Sequence, residues 1–291
     1  MTLINRTVLM SDAQNFSTSQ AINPYYDDQN VDLLKAISEH ESIAEALSAA
    51  GISITTVASP VDSQDGVYSA NWALVRGDKA ILARLPTVRK AEEAYAKIAL
   101  QQLGKTVTEV PIGLKFSGQG DALACGNFLF CGKGYRSDEE AQEFAAKELG
   151  YTRIQLQTIP KLDNSGVPVI NAVSGWADSF FYDIDLALSI IKSPEGGNKG
   201  LIAYCPEAFM PDSQKILARF EGVDTIVVSL AEATQAFACN LVSTGKTVIM
   251  SAYAPELKSA LESRGLKVIT PRVAELAKGG GYIRCTTLTI D

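Results

Sequence analysis

One pattern recurs five times along this chain and constrains its fold more than any other feature: a helical stretch ends at a glycine, and a short β-rich run follows at once. It reads AAGISITTVAS at Gly51, QLGKTVTEVPI at Gly104, ELGYTRIQLQT at Gly150, FEGVDTIVVSL at Gly222 and SRGLKVITPRV at Gly265. Glycine suits the left-handed residue just past a helix C-terminus, and β-branched runs suit strands. The upstream half repeats too, with a short apolar strand before each helix in RTVLMSDA, KAILARLPTVR, NFLFCGKGYRSD, GLIAYCPEAF and KTVIMSAYAP. Successive glycines lie 53, 46, 72 and 43 residues apart. The long interval holds PKLDNSGVPVINAVSG, whose Pro, Gly and Asn content predicts an inserted loop or hairpin. A leftover strand, YIRCTTLTI, follows the fifth unit, and its simplest use is to pair with the first unit and close a ring. Units of this size cannot bury an apolar face singly, so the expectation is one α/β domain over residues 1–291. An ordinary open α/β sheet is the competing architecture; five glycines with the same flanks favour the repeat.

Composition narrows the function. With 46% hydrophobic residues the chain can bury a core, and with a net charge of −7 it offers no electrostatic case for nucleic acid or an anionic membrane as partner. Five cysteines, an odd number with wide spacings and no CxxC, argue against a disulfide framework or a zinc site and for a reducing, cytoplasmic location. The N-terminal MTLINRTVLMSDAQ lacks the apolar core of a signal peptide. No apolar run is long enough to span a bilayer. There is one histidine, His40, within AISEHESIAEAL, where charged neighbours predict a solvated helix face. Ser-His and Cys-His catalysis therefore lack an obvious base, and histidine-rich metal sites are excluded. No metal and no cofactor are expected.

Several motifs bear chemistry, each with a plainer alternative. In GGGYIRC, Gly279 to Cys285, three glycines let backbone approach a ligand closely or let the chain turn. Its cysteine is a nucleophile if its pKa is lowered, or a buried filler on a closing strand; spacing alone does not separate these. SGQGDAL places Asp121 after a glycine turn but lacks the Lys and Ser/Thr of a P-loop, so it reads as a turn. DSQDGVYSANWALV sets Asp65 and Asn71 around a strand start. YDIDLAL sets Asp183 and Asp185 two apart, on one face if the segment is a strand. Two acids on one face in an apolar setting need a cation, a metal or a shared proton. Ser137 and Glu140 form a capping-box pattern, and Val31, Leu34, Ile37, Ile43 and Leu47 can line one face of the first helix.

Taken in order, VLM…INPYY, DGVYSAN, GQGDAL, GKGYRSD, FYDID, CPEAF, CN…G and GGG…C resemble the guanidine-modifying pentein superfamily, in its dimethylargininase, arginine deiminase and amidinotransferase-like branch. The resemblance spans nearly the whole chain. It implies a five-bladed α/β propeller of strand–strand–helix–strand repeats. It also implies a cysteine that attacks a guanidinium carbon, expels an amine and passes the covalent thiouronium to water or to an acceptor amine. On this resemblance Cys285 is the nucleophile, and Asp185 is the aspartate of an H-x-D motif. Asp65 precedes the substrate-contact strand, and Asn71 stands at a guanidinium-binding position. Arg89 and Arg136 hold a substrate carboxylate, and Asn23 lies in the loop that covers the site. The chain departs from the family pattern twice. FYHLD reads here as FYDID, so Asp183 replaces the acid/base histidine, and FEGxGD reads as FSGQGD, so Ser117 replaces a guanidinium-binding glutamate.

Two functions follow from this reading. The first is a cysteine-dependent hydrolase or amidinotransferase acting on an arginine-like guanidino compound, with Asp183 as a proton relay and Asp65, Asn71 and Asp185 as the cation clamp. The alternative is a catalytically impaired pseudoenzyme that binds an arginine-like ligand or a protein partner. Either way the expected partner is a small cationic guanidino or amino-acid-like ligand. A homo-oligomer is compatible with both.

Overall fold

Strand pairing follows the predicted repeat. The structure, a computed structural model, describes residues 3–26 and 30–291. Its strands are β1 (Thr7–Ser11), β2 (Ser53–Val57), β3 (Ala73–Arg76), β4 (Lys79–Leu82), β5 (Thr106–Glu109), β6 (Ala122–Cys125), β7 (Phe128–Gly132), β8 (Thr152–Leu156), β9 (Leu188–Lys192), β10 (Gly200–Tyr204), β11 (Val223–Val227), β12 (Val242–Ser243), β13 (Thr247–Ile249), β14 (Lys267–Ile269) and β15 (Leu288–Thr289). Six α-helices are described: α1 (Leu33–Ala49), α2 (Lys90–Gln102), α3 (Glu139–Leu149), α4 (Pro211–Arg219), α5 (Leu230–Gln235) and α6 (Pro255–Glu262).

The strands form five sheets of three: β15-β1-β2, β3-β4-β5, β6-β7-β8, β9-β10-β11 and β12-β13-β14. Each has an antiparallel first pair and a parallel second pair. Only the parallel pair needs a crossover, and α1, α2, α3, α4 and α6 supply the five crossings. In four sheets the outer antiparallel strand comes just before its partner in sequence. In the fifth it comes from the other end of the chain, with Val8 opposite Thr289 and Leu9 opposite Leu288. Among the middle strands, β10 (GLIAY) is buried along its whole length, as expected for a strand covered on both faces.

Local physics explains most boundaries. Asp32 caps α1 by accepting from the Lys35 backbone N–H at 3.1 Å. Helix α3 carries Glu139 and Glu140 in its first turn, where the positive end of the helix dipole favours acids, and ends at Gly150 with φ +70°. Gly51, Gly104 and Gly265 also have positive φ. Gly222 does not. A Cβ there would meet the rings of Phe220 and Phe128, so this glycine serves packing rather than chain reversal. The long interval is hairpin-like, with isolated bridges between Leu162 and Pro168 and between Ile170 and Ala177.

Five expectations are corrected. The buried face of α1 is Ala36, Glu39, His40, Ile43, Ala46 and Leu47, while Leu34 is 81% exposed. Glu39 goes inward because it accepts the backbone N–H groups of Glu275 and Leu276. His40 is 6% exposed rather than solvated, and burial lowers its pKa to about 4. Asp138, not Ser137, is the N-cap residue of α3, and Ser137 turns inward to accept from the Ser117 backbone N–H at 3.1 Å. YIRCTTLTI is mostly a turn with only Leu288–Thr289 in strand, and Ile184–Leu186 is a 3₁₀ turn rather than strand.

Candidate active site

The five units bring a side chain each to one place by the same device. A tight turn precedes the first strand of every unit. Before β3 it carries Asn71, before β6 Ser117 and Asp121, before β9 Asp183 and Asp185, before β12 Asn240, and before β15 Cys285. These turns also bond to one another. The Ala70 N–H donates to the Cys285 carbonyl at 3.0 Å, and the Arg284 guanidinium donates to Gln119 Oε1 at 2.7 Å.

Cys285 is buried, with its thiol between two polar groups. Asn240 Nδ2 donates to Sγ at 3.1 Å, while Asn240 Oδ1 accepts the Cys285 backbone N–H at 3.1 Å. Asp185 Oδ2 lies 3.4 Å from Sγ. The glycine run permits the approach. Gly280 has φ +82°, and a Cβ on Gly281 would overlap the Tyr68 ring.

Asp183 lies on the same cavity as Cys285, but its bonds go elsewhere. Asn71 Nδ2 donates to Asp183 Oδ2 at 2.7 Å and to Ser117 Oγ at 2.9 Å. Asp183 Oδ1 is buried and has no hydrogen-bond partner. A Cβ on Gly120 would strike both Asn71 Nδ2 and Asp183 Oδ2, so glycine is required for this approach.

The two arginines differ. Arg89 Nε and Nη2 form a forked pair with Glu92 at 2.8 and 2.7 Å, and Nη1 donates to Asn71 Oδ1 at 2.9 Å. Its Nη2 also reaches the Asp65 and Tyr68 carbonyls. Arg89 is thus occupied within the protein. Arg136 lies over the Tyr182 ring at 4.9 Å, donates to the Ile22 carbonyl, and leaves Nε without a partner. Asn23, next along that loop, donates to the Gly279 carbonyl at 3.0 Å. Asp65 accepts the Tyr26 hydroxyl at 2.5 Å. Of the nine residues picked from sequence, Cys285, Asp183, Asp65, Asn71, Ser117, Arg89, Arg136 and Asn23 line one cavity, and Asp185 stands behind Cys285 on a neighbouring one.

Burial dominates the electrostatics. It raises the carboxyl of Asp65 to about 6, against the lowering effect of Arg89. It raises Asp121, Asp183 and Asp185 as well. The three are not alike. The charge of Asp183 pushes Asp121 and Asp185 up further. Asp183 itself is drawn down by Arg136, Ser117, Asn71 and Arg89. The three carboxyls are therefore coupled, and charge on Asp183 disfavours charge on Asp121 and Asp185. Burial, Asp185 and Asp183 raise the Cys285 thiol well above its ordinary value, with Asn240 opposing them. Burial alone would lower Arg89, but Glu92 and Asp65 outweigh it and hold it charged.

Sequence reasoning missed Asn240, set Asp121 aside as part of a turn, and missed Glu92 and Arg284. The repeat itself was the signal for the first two, since each precedes the first strand of its unit as Asn71 and Cys285 do. Nothing local marks Glu92 or Arg284. Among the described residues, no group of three or more His, Cys, Asp or Glu is placed to hold a metal ion, and no helix is long and apolar enough to cross a membrane.

Comparison with known proteins places this geometry. Residues 10–170, more than half of the chain, match the family "N,N dimethylarginine dimethylhydrolase, eukaryotic". The chain belongs to that family. It is 32% identical over 230 residues to the bifunctional arginine dihydrolase/ornithine cyclodeaminase AgrE of Nostoc sp., covering 78% of this chain and 29% of that protein. It is 29% identical over 288 residues to the N(G),N(G)-dimethylarginine dimethylaminohydrolase of Mycobacterium tuberculosis, covering 98% of this chain and 86% of that one. A solved variant of the N-terminal domain of ArgZ, covalently bound to a reaction intermediate, superposes with a TM-score of 0.84 at 27% identity, over 98% of this chain and 97% of that domain. The chain spans only about a third of the length of its bifunctional relatives, at 29% of AgrE and 37% of ArgZ. These similarities make it a dimethylargininase/arginine deiminase-like member of the pentein superfamily with a mixed α/β fold.

Proposed function

We propose that this member of the family is a cysteine-dependent hydrolase of an arginine-like guanidino compound, working through a covalent thiouronium on Cys285. The observation that carries it is the cavity itself, where the Cys285 thiol, the open oxygen of Asp183 and the under-used Arg136 meet. A planar cation and a carboxylate on one ligand need these two ends. Relatives support the substrate class: a cysteine-to-alanine variant of AgrE has been solved with L-arginine, and the ArgZ variant carries a covalent intermediate. We further read residues 1–291 as one domain, its five units set as a closed five-bladed propeller around the pocket, with the unpaired cysteines suiting a cytoplasmic location.

The chemistry runs on two groups in contact. A bound guanidinium adds positive charge beside Cys285, favouring transfer of the thiol proton to Asp185 Oδ2 at 3.4 Å, and Asn240 Nδ2 stabilises the thiolate. Sulfur attacks the guanidinium carbon. Protonated Asp185 gives its proton to the departing amine, leaving a thiouronium and a carboxylate. That carboxylate takes a proton from water as the water's oxygen adds to carbon. Collapse breaks the C–S bond, the thiolate takes back the proton held by Asp185, and the O-protonated urea gives its proton to the freed amine, leaving a neutral ureido product. An acceptor amine in place of water would make the same intermediate an amidinotransferase's. Asp185, not Asp183, holds the position for proton transfer because only Asp185 touches Sγ.

The second reading, a pocket that binds without turnover, draws on one observation: Asp183 stands where the family pattern has its histidine, and Sγ has no imidazole beside it. Incubation with L-arginine, methylated arginines, agmatine and guanidinoacetate separates the two. The hydrolase yields an amine, a ureido product and a transient mass adduct on Cys285, all absent from Cys285→Ala. Binding with neither product nor adduct from any of these compounds refutes the hydrolase and leaves the second reading.

A further inference from the structure

We infer that the guanidinium-holding charge of this site has moved across the pocket, onto Asp183, and that Asn71 and Ser117 serve as its positioning groups. This rests on the reading of the ligand as a guanidino compound, and it deepens that reading by assigning what recognises the cation.

Three observations converge. Asp183 uses only one of its oxygens within the protein, since Oδ2 accepts from Asn71 Nδ2 at 2.7 Å while Oδ1 has no partner. An ionised carboxylate oxygen buried without a donor is costly, and a ligand consisting only of donors repays that cost. Asn71 is oriented the wrong way to take the cation itself. Its Oδ1 is occupied by Arg89 Nη1 at 2.9 Å, which points the donor end, Nδ2, at Asp183 and Ser117. The Glu92–Arg89 pair fixes that orientation. Ser117, lacking a carboxylate, adds no acid to this wall and accepts from the same Asn71 amide. A glutamate at 117 beside Asp183 would put two buried anions together, and a histidine at 183 with serine at 117 would leave this wall without any. The two departures from the family pattern therefore compensate each other: the acid lost at 117 is regained at 183.

The test is equilibrium binding in a Cys285→Ala background, so that turnover plays no part. Calorimetry with L-arginine and with L-citrulline, its uncharged ureido counterpart, gives a cation-selectivity ratio for each variant. Asp183→Asn is expected to lower the arginine-to-citrulline ratio about 10- to 100-fold, the size of a charge-assisted contact. The double variant Asp183→His/Ser117→Glu is expected to regain a ratio within roughly tenfold of the parent's. Citrulline binding reports in every case that the variant is folded. A ratio unchanged in Asp183→Asn, a double variant that binds citrulline without regaining the ratio, or no arginine binding by the parent each overturns the relocation. Failure of the hydrolase reading looks different: selectivity as stated here, with no product from the chain that retains Cys285.

Discussion

Replacing Glu92 by glutamine isolates the buried frame behind the pocket. The Glu92 carboxylate is fully buried and accepts Arg89 Nε at 2.8 Å, Arg89 Nη2 at 2.7 Å, Trp72 Nε1 at 3.0 Å and the Ser63 hydroxyl. Glutamine fills the same volume but brings an NH₂ against the donors of Arg89 and leaves a buried guanidinium without its counter-ion. Breaking a buried pair from one side costs about 3–5 kcal/mol. At about 2–4 °C per kcal/mol, that lowers the melting temperature by about 6–20 °C. Urea unfolding followed by far-UV circular dichroism, with the slope checked for constancy, measures the loss directly. Glu109→Gln is the control: Glu109 sits on the surface between Arg84 and Lys97 and should cost less than about 1 kcal/mol. A Glu92→Gln protein as stable as the control would refute the claim that Arg89 is committed to Glu92, and with it the claim that Arg89 orients Asn71.

Stability against pH should show two opposing contributions over one window. Asp65 has a folded pKa raised from 3.8 to about 6, so its contribution is full below pH 3.8 and lost as pH rises through 6; in Asp65→Asn this loss, roughly 3 kcal/mol, disappears. His40 has a folded pKa lowered from 6.5 to about 4, so its contribution is full above pH 6.5 and lost as pH falls through 4; His40→Gln removes that slope, again roughly 3 kcal/mol. Variant-minus-parent curves of equal slope and sign would contradict both assignments. Asn240→Ala should slow alkylation of Cys285 between pH 7 and 9 by roughly 10- to 100-fold, read by peptide mass spectrometry, because the donor that favours the thiolate is gone; an unchanged rate would remove Asn240 from the site. Gly281→Ala should destabilise by about 1–3 kcal/mol, since its methyl group meets the Tyr68 ring; equal stability in urea would show that the ring yields freely.

The strands were legible because their signals are local. A left-handed glycine and a β-branched run need no tertiary partner to be recognised, and Gly51, Gly104, Gly150 and Gly265 behave accordingly. What failed depended on partners far along the chain. His40 has charged sequence neighbours yet is buried, because α1 turns it inward together with Glu39, which is needed as an acceptor for backbone N–H groups at 275 and 276. Ser137 was one residue away from capping α3 and is instead held against Ser117. The alternation argument for Asp183 and Asp185 assumed a strand that is not there, and a 3₁₀ turn aims them at different neighbours, Asn71 and Cys285. Site membership could be read from motif order; the division of labour could not, because it depends on which oxygen finds which donor across a hundred or more residues of chain.

The pairing of β15 with β1 has a consequence for how this protein would fail. The ladder joins Val8 and Leu9 to Thr289 and Leu288, residues about 280 apart in sequence. Closing so long a loop costs only about 3 kcal/mol more than closing one of ten residues. The ladder itself is two residues long, however, and the turn carrying Cys285 leads directly into it. Opening of that short ladder is a sub-global event that leaves the other four sheets whole. Under mild denaturant or heat the thiol should become reactive, and the chemistry lost, while the circular dichroism of the molecule is still that of the native chain.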